Sequence, residues 1–139
     1  MKITLRHEIP GADEYNAMRI TLGWGSAASD ITTLALQHSL FSVTLRQSGQ
    51  LVGKAQVVGD GGLAFYIQDV SVIERLRGQG YGKRLMDEVM AFLHATAKPG
   101  SVIGLMAALG KDEFYSRYGF NRRPNEFQGG GMTQFPSEW

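Results

Sequence analysis

The sequence predicts an α/β (α+β) fold, a mixed central sheet of about six to seven strands flanked by about four helices. Three observations predict it. Mid-chain segments alternate apolar and polar residues with period two. A glycine-rich loop then leads into the most regular amphipathic helix of the chain, and a short apolar strand follows that helix. With 139 residues the chain is long enough for one core and too short for two, so residues 1–139 are read as a single domain. Hydrophobic residues make up 43% against 19% charged, a balance that supports a packed core rather than disorder.

The elements follow in order. Lys2 to Glu8 reads as a strand with Ile3 and Leu5 on one face, ended by Pro10-Gly11. Asp13-Glu14 open a helical stretch with Tyr15, Met18, Arg19 and Leu22 at helical spacing, stopped by Gly23-Trp24-Gly25. A second helix starts at Ser29 or Asp30 and carries Ile31, Leu34, Ala35 and His38. Phe41 to Arg46 and Leu51 to Val58 form a hairpin about Ser48-Gly49-Gln50, and Leu63 to Ile73 is a longer, central strand after the turn Asp60-Gly61-Gly62. From Tyr81 to about Ala97, Leu85, Met86, Val89, Met90 and Leu93 recur at three and four. Val102 to Met106 is the next strand, parallel to the one before the helix. Asp112 to Tyr118 is a short helix closed by Gly119, and Met132 to Phe135 is a last strand behind Gly129-Gly130-Gly131.

Composition removes several functions. There is no cysteine, hence no disulfide, thiolate metal site or cysteine nucleophile, and no metal is called for. A net charge of +1 gives no case for nucleic acid as a partner. The N-terminal segment has no apolar run suited to a signal peptide or membrane span, so the expected location is cytoplasmic, with no membrane partner. His7, His38 and His94 show no partner in sequence and read as structural or surface residues, and Ser71 lacks the Gly-x-Ser-x-Gly elbow of a serine hydrolase.

The chemistry-bearing segment is Arg77-Gly78-Gln79-Gly80-Tyr81-Gly82. It lies between a strand and a helix, where main-chain N–H groups have no helical acceptor and favour an anion. Its glycines let a phosphate approach the backbone and permit positive φ. Arg75, Arg77, Lys83 and Arg84 add four positive charges within ten residues. The dinucleotide fingerprint requires Gly-x-Gly-x-x-Gly and the Walker A loop requires Gly-Lys followed by Ser or Thr; this loop has neither spelling. Read alone, it is also compatible with a solvated basic turn.

Val70-Ser71-Val72, the Arg77–Gly82 loop, the amphipathic helix and Phe114-Tyr115-Ser116-Arg117-Tyr118-Gly119-Phe120, taken in order, resemble the GNAT superfamily of N-acetyltransferases over most of the chain. Arg77, Gly80 and Gly82 stand at the defining positions of that family's Arg/Gln-x-x-Gly-x-Gly/Ala signature. The resemblance implies a GNAT fold with splayed middle strands and acetyl-CoA as co-substrate. Main-chain groups of Val70 and Val72 would pair with the pantetheine arm, amides from Gln79 to Lys83 would hold the pyrophosphate, and Phe114 would line the coenzyme site. Gln68, Asp69 and Ser71 are the polar residues that suit the splay. Tyr115 matches the tyrosine that protonates the leaving thiolate, while its alternative is a core ring among Phe114, Tyr118 and Phe120. Where relatives carry a glutamate base this chain has Tyr66, leaving Asp69, or a water chain at Tyr66 or Asp69, as the base. Where relatives carry an asparagine it has Ala108.

The same resemblance places the amine acceptor among residues 15–40, where Trp24 reads as an aromatic wall or as a loop anchor. Few acids there favour a small primary amine over a polycation, and Arg122-Arg123 suit an acceptor bearing a carboxylate. The alternatives are an acyl-CoA-binding sensor without catalysis and an acetyltransferase of a protein or aminoacyl-tRNA amine. Edge pairing of the last strand is the expected route to a homodimer.

Overall fold

Alternation of apolar residues in the middle of the chain has the consequence expected of it: strands β1 (Ile3–His7), β2 (Phe41–Gln47), β3 (Gln50–Gly59) and β4 (Ala64–Val72) form consecutive antiparallel pairs, and β5 (Val102–Leu105) lies parallel to β4. The computed structural model describes residues 2–139. The parallel pair is joined through helix α3 (Tyr81–Thr96), as a strand–helix–strand crossover requires. Helices α1 (Ala12–Thr21) and α2 (Ser29–Gln37) precede β2, and α4 (Asp112–Ser116) follows β5. The chain divides into two compact units, one up to Leu105 and one from Met106 to Trp139.

In the first unit the two faces of the sheet differ chemically. Phe41 stacks on Phe92 of α3, which identifies the α3 face; Val43, Leu45, Ala55, Val57, Phe65 and Ile67 share it and are buried with Leu85, Met86, Val89 and Leu93 of the helix. The opposite face carries Thr44, Lys54, Gln56 and Ser71, all buried and all polar. Helix α1 lies on this side, and its first turn is tied to β2 by Arg46. The guanidinium donates to Glu14 through Nη1 (2.9 Å) and Nη2 (2.7 Å) and to Glu8 through Nε (2.6 Å).

Two expectations about local structure fail for identifiable reasons. The face that α2 buries is Thr32 and Leu36, whereas Ile31 and Leu34 are exposed. Thr32 Oγ1 donates to Asn16 Oδ1 of α1 at 3.0 Å, so the buried face combines a polar contact with the apolar Leu36. The last strand does not form. Met132–Phe135 has no ladder, because the second unit contains no other strand among the described residues to supply one, and Pro136–Glu138 closes as a 3₁₀ turn. The sheet therefore has five strands rather than six or seven. His7, whose partner was not visible in sequence, meets Glu88 at 3.2 Å.

The second unit by itself is built around α4. Gly119 takes φ +88, its N–H donates to Ser116 O (3.0 Å), and the N–H of Phe120 donates to Tyr115 O (3.4 Å), the paired bonds of a Schellman stop. Phe114 packs edge-on against Tyr115 and Tyr118, and Tyr115 against Phe120. Among the described residues, no helix is long and apolar enough to cross a membrane.

Candidate active site

Strand β4 has two halves. Its first half pairs with β5 from Ala64↔Val102 to Ile67↔Leu105; from Gln68 to Val72 it continues with β3 as its sole strand neighbour among the described residues. Because β5 ends at Leu105, Gln68, Asp69 and Ser71, the polar positions expected to suit a splay, lie beyond its last pair with β4. Tyr66 pairs with Val58 and with Gly104, and alternation puts it with Gln68 on the polar face, opposite Phe65 and Ile67.

At the end of β4 the chain makes a 3₁₀ turn at Glu74–Leu76 and enters the glycine loop. Gly78 and Gly80 take φ +76 and +87, left-handed values that a side chain would strain, and no atom lies within 4 Å of the Cβ either would carry. Gly80 is the residue before α3; no side chain caps the helix, and Arg84 N–H to Gly80 O (3.1 Å) is an opening helical bond. The first-turn amides are thus presented without a capping acceptor. The cations around them divide their work. Arg77 Nε turns back to Val72 O (3.2 Å), Lys83 pairs with Asp87 (2.8 Å), and Arg84 lies over the Tyr81 ring. An uncapped helix start with exposed cations beside it fits a polyphosphate.

A second cluster lies on the polar face. Between Lys54↔Ser71 and Gln56↔Gln68 the strand β4 has two residues, Asp69 and Val70, opposite the single Ala55, which is a β-bulge; Asp69 adopts φ +54. Its carboxylate accepts from the Tyr15 hydroxyl and from Arg19 Nη1 (2.5 Å), and Lys54 Nζ lies 3.6 Å away. Lys54 Nζ also donates to the main-chain oxygen of Asp69 (3.3 Å) and sits over the rings of Tyr15 (4.3 Å) and Trp24 (5.7 Å). Arg19 extends the cluster to the Trp24 loop, Nε donating to Gly25 O (3.0 Å) and the guanidinium lying over the indole.

The ionisation states follow from these contacts. Burial pushes the Asp69 carboxyl up, but Lys54, Tyr15 and Arg19 together outweigh it and hold the group below its ordinary value. Burial lowers the Lys54 ammonium to about 8 despite Asp69. The Tyr15 hydroxyl is raised, by burial first and then by the Asp69 charge. Asp69 is therefore held as an anion, with Tyr15, Arg19 and Lys54 all gathered at Oδ2.

Of the residues expected from sequence, Tyr66, Asp69, Val70, Ser71 and Val72 lie along β4 and run into the Arg77–Lys83 loop, and Trp24 joins Asp69 through Arg19 and Lys54. Tyr115 and Phe114 belong to the second unit and meet each other there. Sequence reasoning missed Tyr15, Arg19 and Lys54 as partners of Asp69. The available signal was Lys54, a lysine inside an otherwise buried strand.

Comparison with known proteins gives one consistent result. Residues 26–139 match the model of the acetyltransferase (GNAT) domain. The chain is 30% identical over 120 residues to the uncharacterized N-acetyltransferase ycf52 of Porphyra purpurea, covering 84% of this chain and 67% of that one. Its fold resembles a probable acetyltransferase of unknown function from meticillin-resistant Staphylococcus aureus, with TM-score 0.88, 28% identity and coverage of 96% and 100%. It also resembles a GNAT family protein from Streptococcus pneumoniae, with TM-score 0.75, 22% identity and coverage of 96% and 98%.

Proposed function

Because the chain belongs to the GNAT family of N-acetyltransferases, whose co-substrate is an acyl-CoA, we propose that it transfers the acetyl group of acetyl-CoA directly to the primary amine of a small molecule. The observation that carries the reading is the run of β4 past its last β5 pair into the glycine loop. An unpartnered strand edge suits an extended amide-bearing chain, and an uncapped helix start with exposed cations suits the pyrophosphate at its end. Both features belong to one ligand.

In this reading Val70 and Val72 align the pantetheine arm, and amides from Gln79 to Lys83 with Arg77 hold the diphosphate, placing the thioester near Tyr66 and the bulge. The neutral amine attacks the thioester carbonyl, a C–N bond forms, the C–S bond breaks, and the thiolate takes a proton from Tyr115. Phe114 and Phe120 fix the Tyr115 ring. The proton lost by the amine passes to water at Tyr66. Asp69, a candidate base from sequence, is assigned no proton, since two hydrogen-bond donors, Tyr15 and Arg19, and the nearby Lys54 ammonium hold its carboxylate in the anionic form. Trp24 and the polar face beneath α1 form the acceptor side, and its scarcity of acids favours a small amine over a polycation.

Acetyl-CoA-dependent thiol release measured against amino acids, polyamines, other small amines and peptides tests the assignment. Turnover with a small amine is expected; modification of peptides or aminoacyl-tRNA alone would overturn the acceptor class. Coenzyme binding without release on any acceptor would overturn catalysis. Tyr115→Phe should lower kcat by about 10²-fold with little change in KM for acetyl-CoA.

A further inference from the structure

Use of β4 as a ligand edge leaves unexplained how its bulge is maintained. Asp69 at φ +54 occupies a region that few non-glycine residues adopt, although aspartate tolerates it better than most. Such a conformation persists when surrounding contacts over-determine it. Here they grip both ends of the residue. The carboxylate receives Tyr15 and Arg19 from α1, while the main-chain oxygen receives Lys54 Nζ from β3 (3.3 Å) and Ser71 Oγ (3.2 Å).

The bulge sets the phase of everything after it. Without the extra residue, alternation from Ile67 would turn Ser71 to the apolar α3 face and Val72 to the polar one. With it, Ser71 lies opposite Lys54 and Val72 opposite Gly53, and Val72 is buried. Main-chain groups shift in the same way. Ile73 N–H donates to Val52 O on the β3 side (3.0 Å), so the alternation directs the groups of Val72 to the open edge, where its oxygen receives Arg77 Nε (3.2 Å) and its N–H is left for a ligand.

We propose that Tyr15, Arg19 and Lys54 are positioning residues for the acyl donor: by gripping Asp69 they hold the bulge, and so determine which main-chain groups β4 presents on its open edge. The inference rests on the reading that acyl-CoA lies along that edge. Arg19 has a further consequence, because the same guanidinium that holds the bulge also holds the Trp24 loop through Gly25 O (3.0 Å). The acceptor loop and the donor strand thus share one anchor.

The test separates shape from charge. Asp69→Asn keeps an acceptor oxygen and a residue that tolerates positive φ; Asp69→Val removes both. Acetyl-CoA affinity by calorimetry, kcat and KM, and amide hydrogen exchange at Ile73 are measured for the wild type, both Asp69 variants and Tyr15→Phe. Asp69→Asn should bind acetyl-CoA within about threefold of the wild type, Tyr15→Phe about threefold more weakly, and Asp69→Val at least about tenfold more weakly with loss of protection at Ile73. Wild-type affinity in Asp69→Val, or equal loss in Asp69→Asn and Asp69→Val, would overturn the proposal. So would a fall of about 10²-fold in kcat for Asp69→Asn at unchanged affinity, the signature of a base. If Asp69→Val does not fold, Tyr15→Phe decides: unchanged affinity and unchanged Ile73 protection overturn the proposal. A wild type that fails to bind acetyl-CoA overturns the ligand reading, and the exchange data still decide whether the cluster holds the bulge.

Discussion

The glycine loop and the Asp69 cluster flank the same stretch of β4 and are built by opposite means. The loop is contiguous, residues 77–82, exposed for most of its length, and shaped by glycines that accept left-handed conformations by themselves. The cluster gathers Tyr15, Arg19 and Lys54 around a left-handed aspartate from 54, 50 and 15 residues away, with Lys54 only 3% exposed. One element owes its shape to local backbone freedom and the other to part-buried hydrogen bonds from distant residues. The difference predicts how each responds to pH, substitution and salt.

The largest expected effect belongs to the cluster. The folded Lys54 ammonium is lowered to about 8 from an ordinary 10.5, so below about pH 8 both states are protonated and the native state bears the full burial penalty. As pH rises from 8 toward 10.5 the unfolded chain holds a proton that the native chain has released, and stability rises by about 1.4 kcal/mol per unit, about 3 kcal/mol in all. Urea unfolding across this window should show wild-type stability gaining on Lys54→Met by that order. Parallel curves would mean that Lys54 titrates normally and that the cluster is not the buried electrostatic device described.

A smaller effect is expected in the loop. Gly80 has φ +87 with open space where a Cβ would stand, so a substitution there acts through the backbone and not through crowding. A β-branched residue in this region is strained by about 2 kcal/mol, which corresponds to about 30-fold in acetyl-CoA affinity for Gly80→Val if the loop relaxes to another conformation. The urea midpoint should move little, because the core lies elsewhere. Unchanged affinity would break the assignment of the loop as the phosphate cradle.

The same division explains what was legible in the sequence. The order of strands and helices could be read from periods of two and near four, and the loop from six adjacent residues, because those signals are local. The α2 face could not, since Thr32 is buried through a contact with Asn16 of another helix. The Met132–Phe135 segment has the alternation of a strand, but a ladder requires a partner, and alternation cannot supply one. Lys54 was visible as an anomaly in a buried strand, while its meaning depended on a bulge that brings Asp69 beneath it. The residues that escaped sequence analysis are those whose role is defined by partners at long separation.

Salt should separate the two regions with the smallest effect. Arg75, Arg77, Lys83 and Arg84 are exposed, so their attraction for a polyphosphate is screened as the Debye length falls from above 10 Å in dilute buffer to a few ångström near 1 M. Raising sodium chloride from about 0.05 to about 0.5 M should weaken acetyl-CoA binding by about fivefold, and Arg77→Gln should lessen that dependence. The Lys54-dependent pH slope should persist at both salt concentrations, because ions do not enter the space between Tyr15, Lys54 and Asp69. If binding is insensitive to salt, the loop's charges do not contact the phosphates and its amides alone hold them. If the pH slope collapses instead, the cluster is open to solvent, and hydrogen bonds to Asp69 that compete with water would be too weak to hold the left-handed residue.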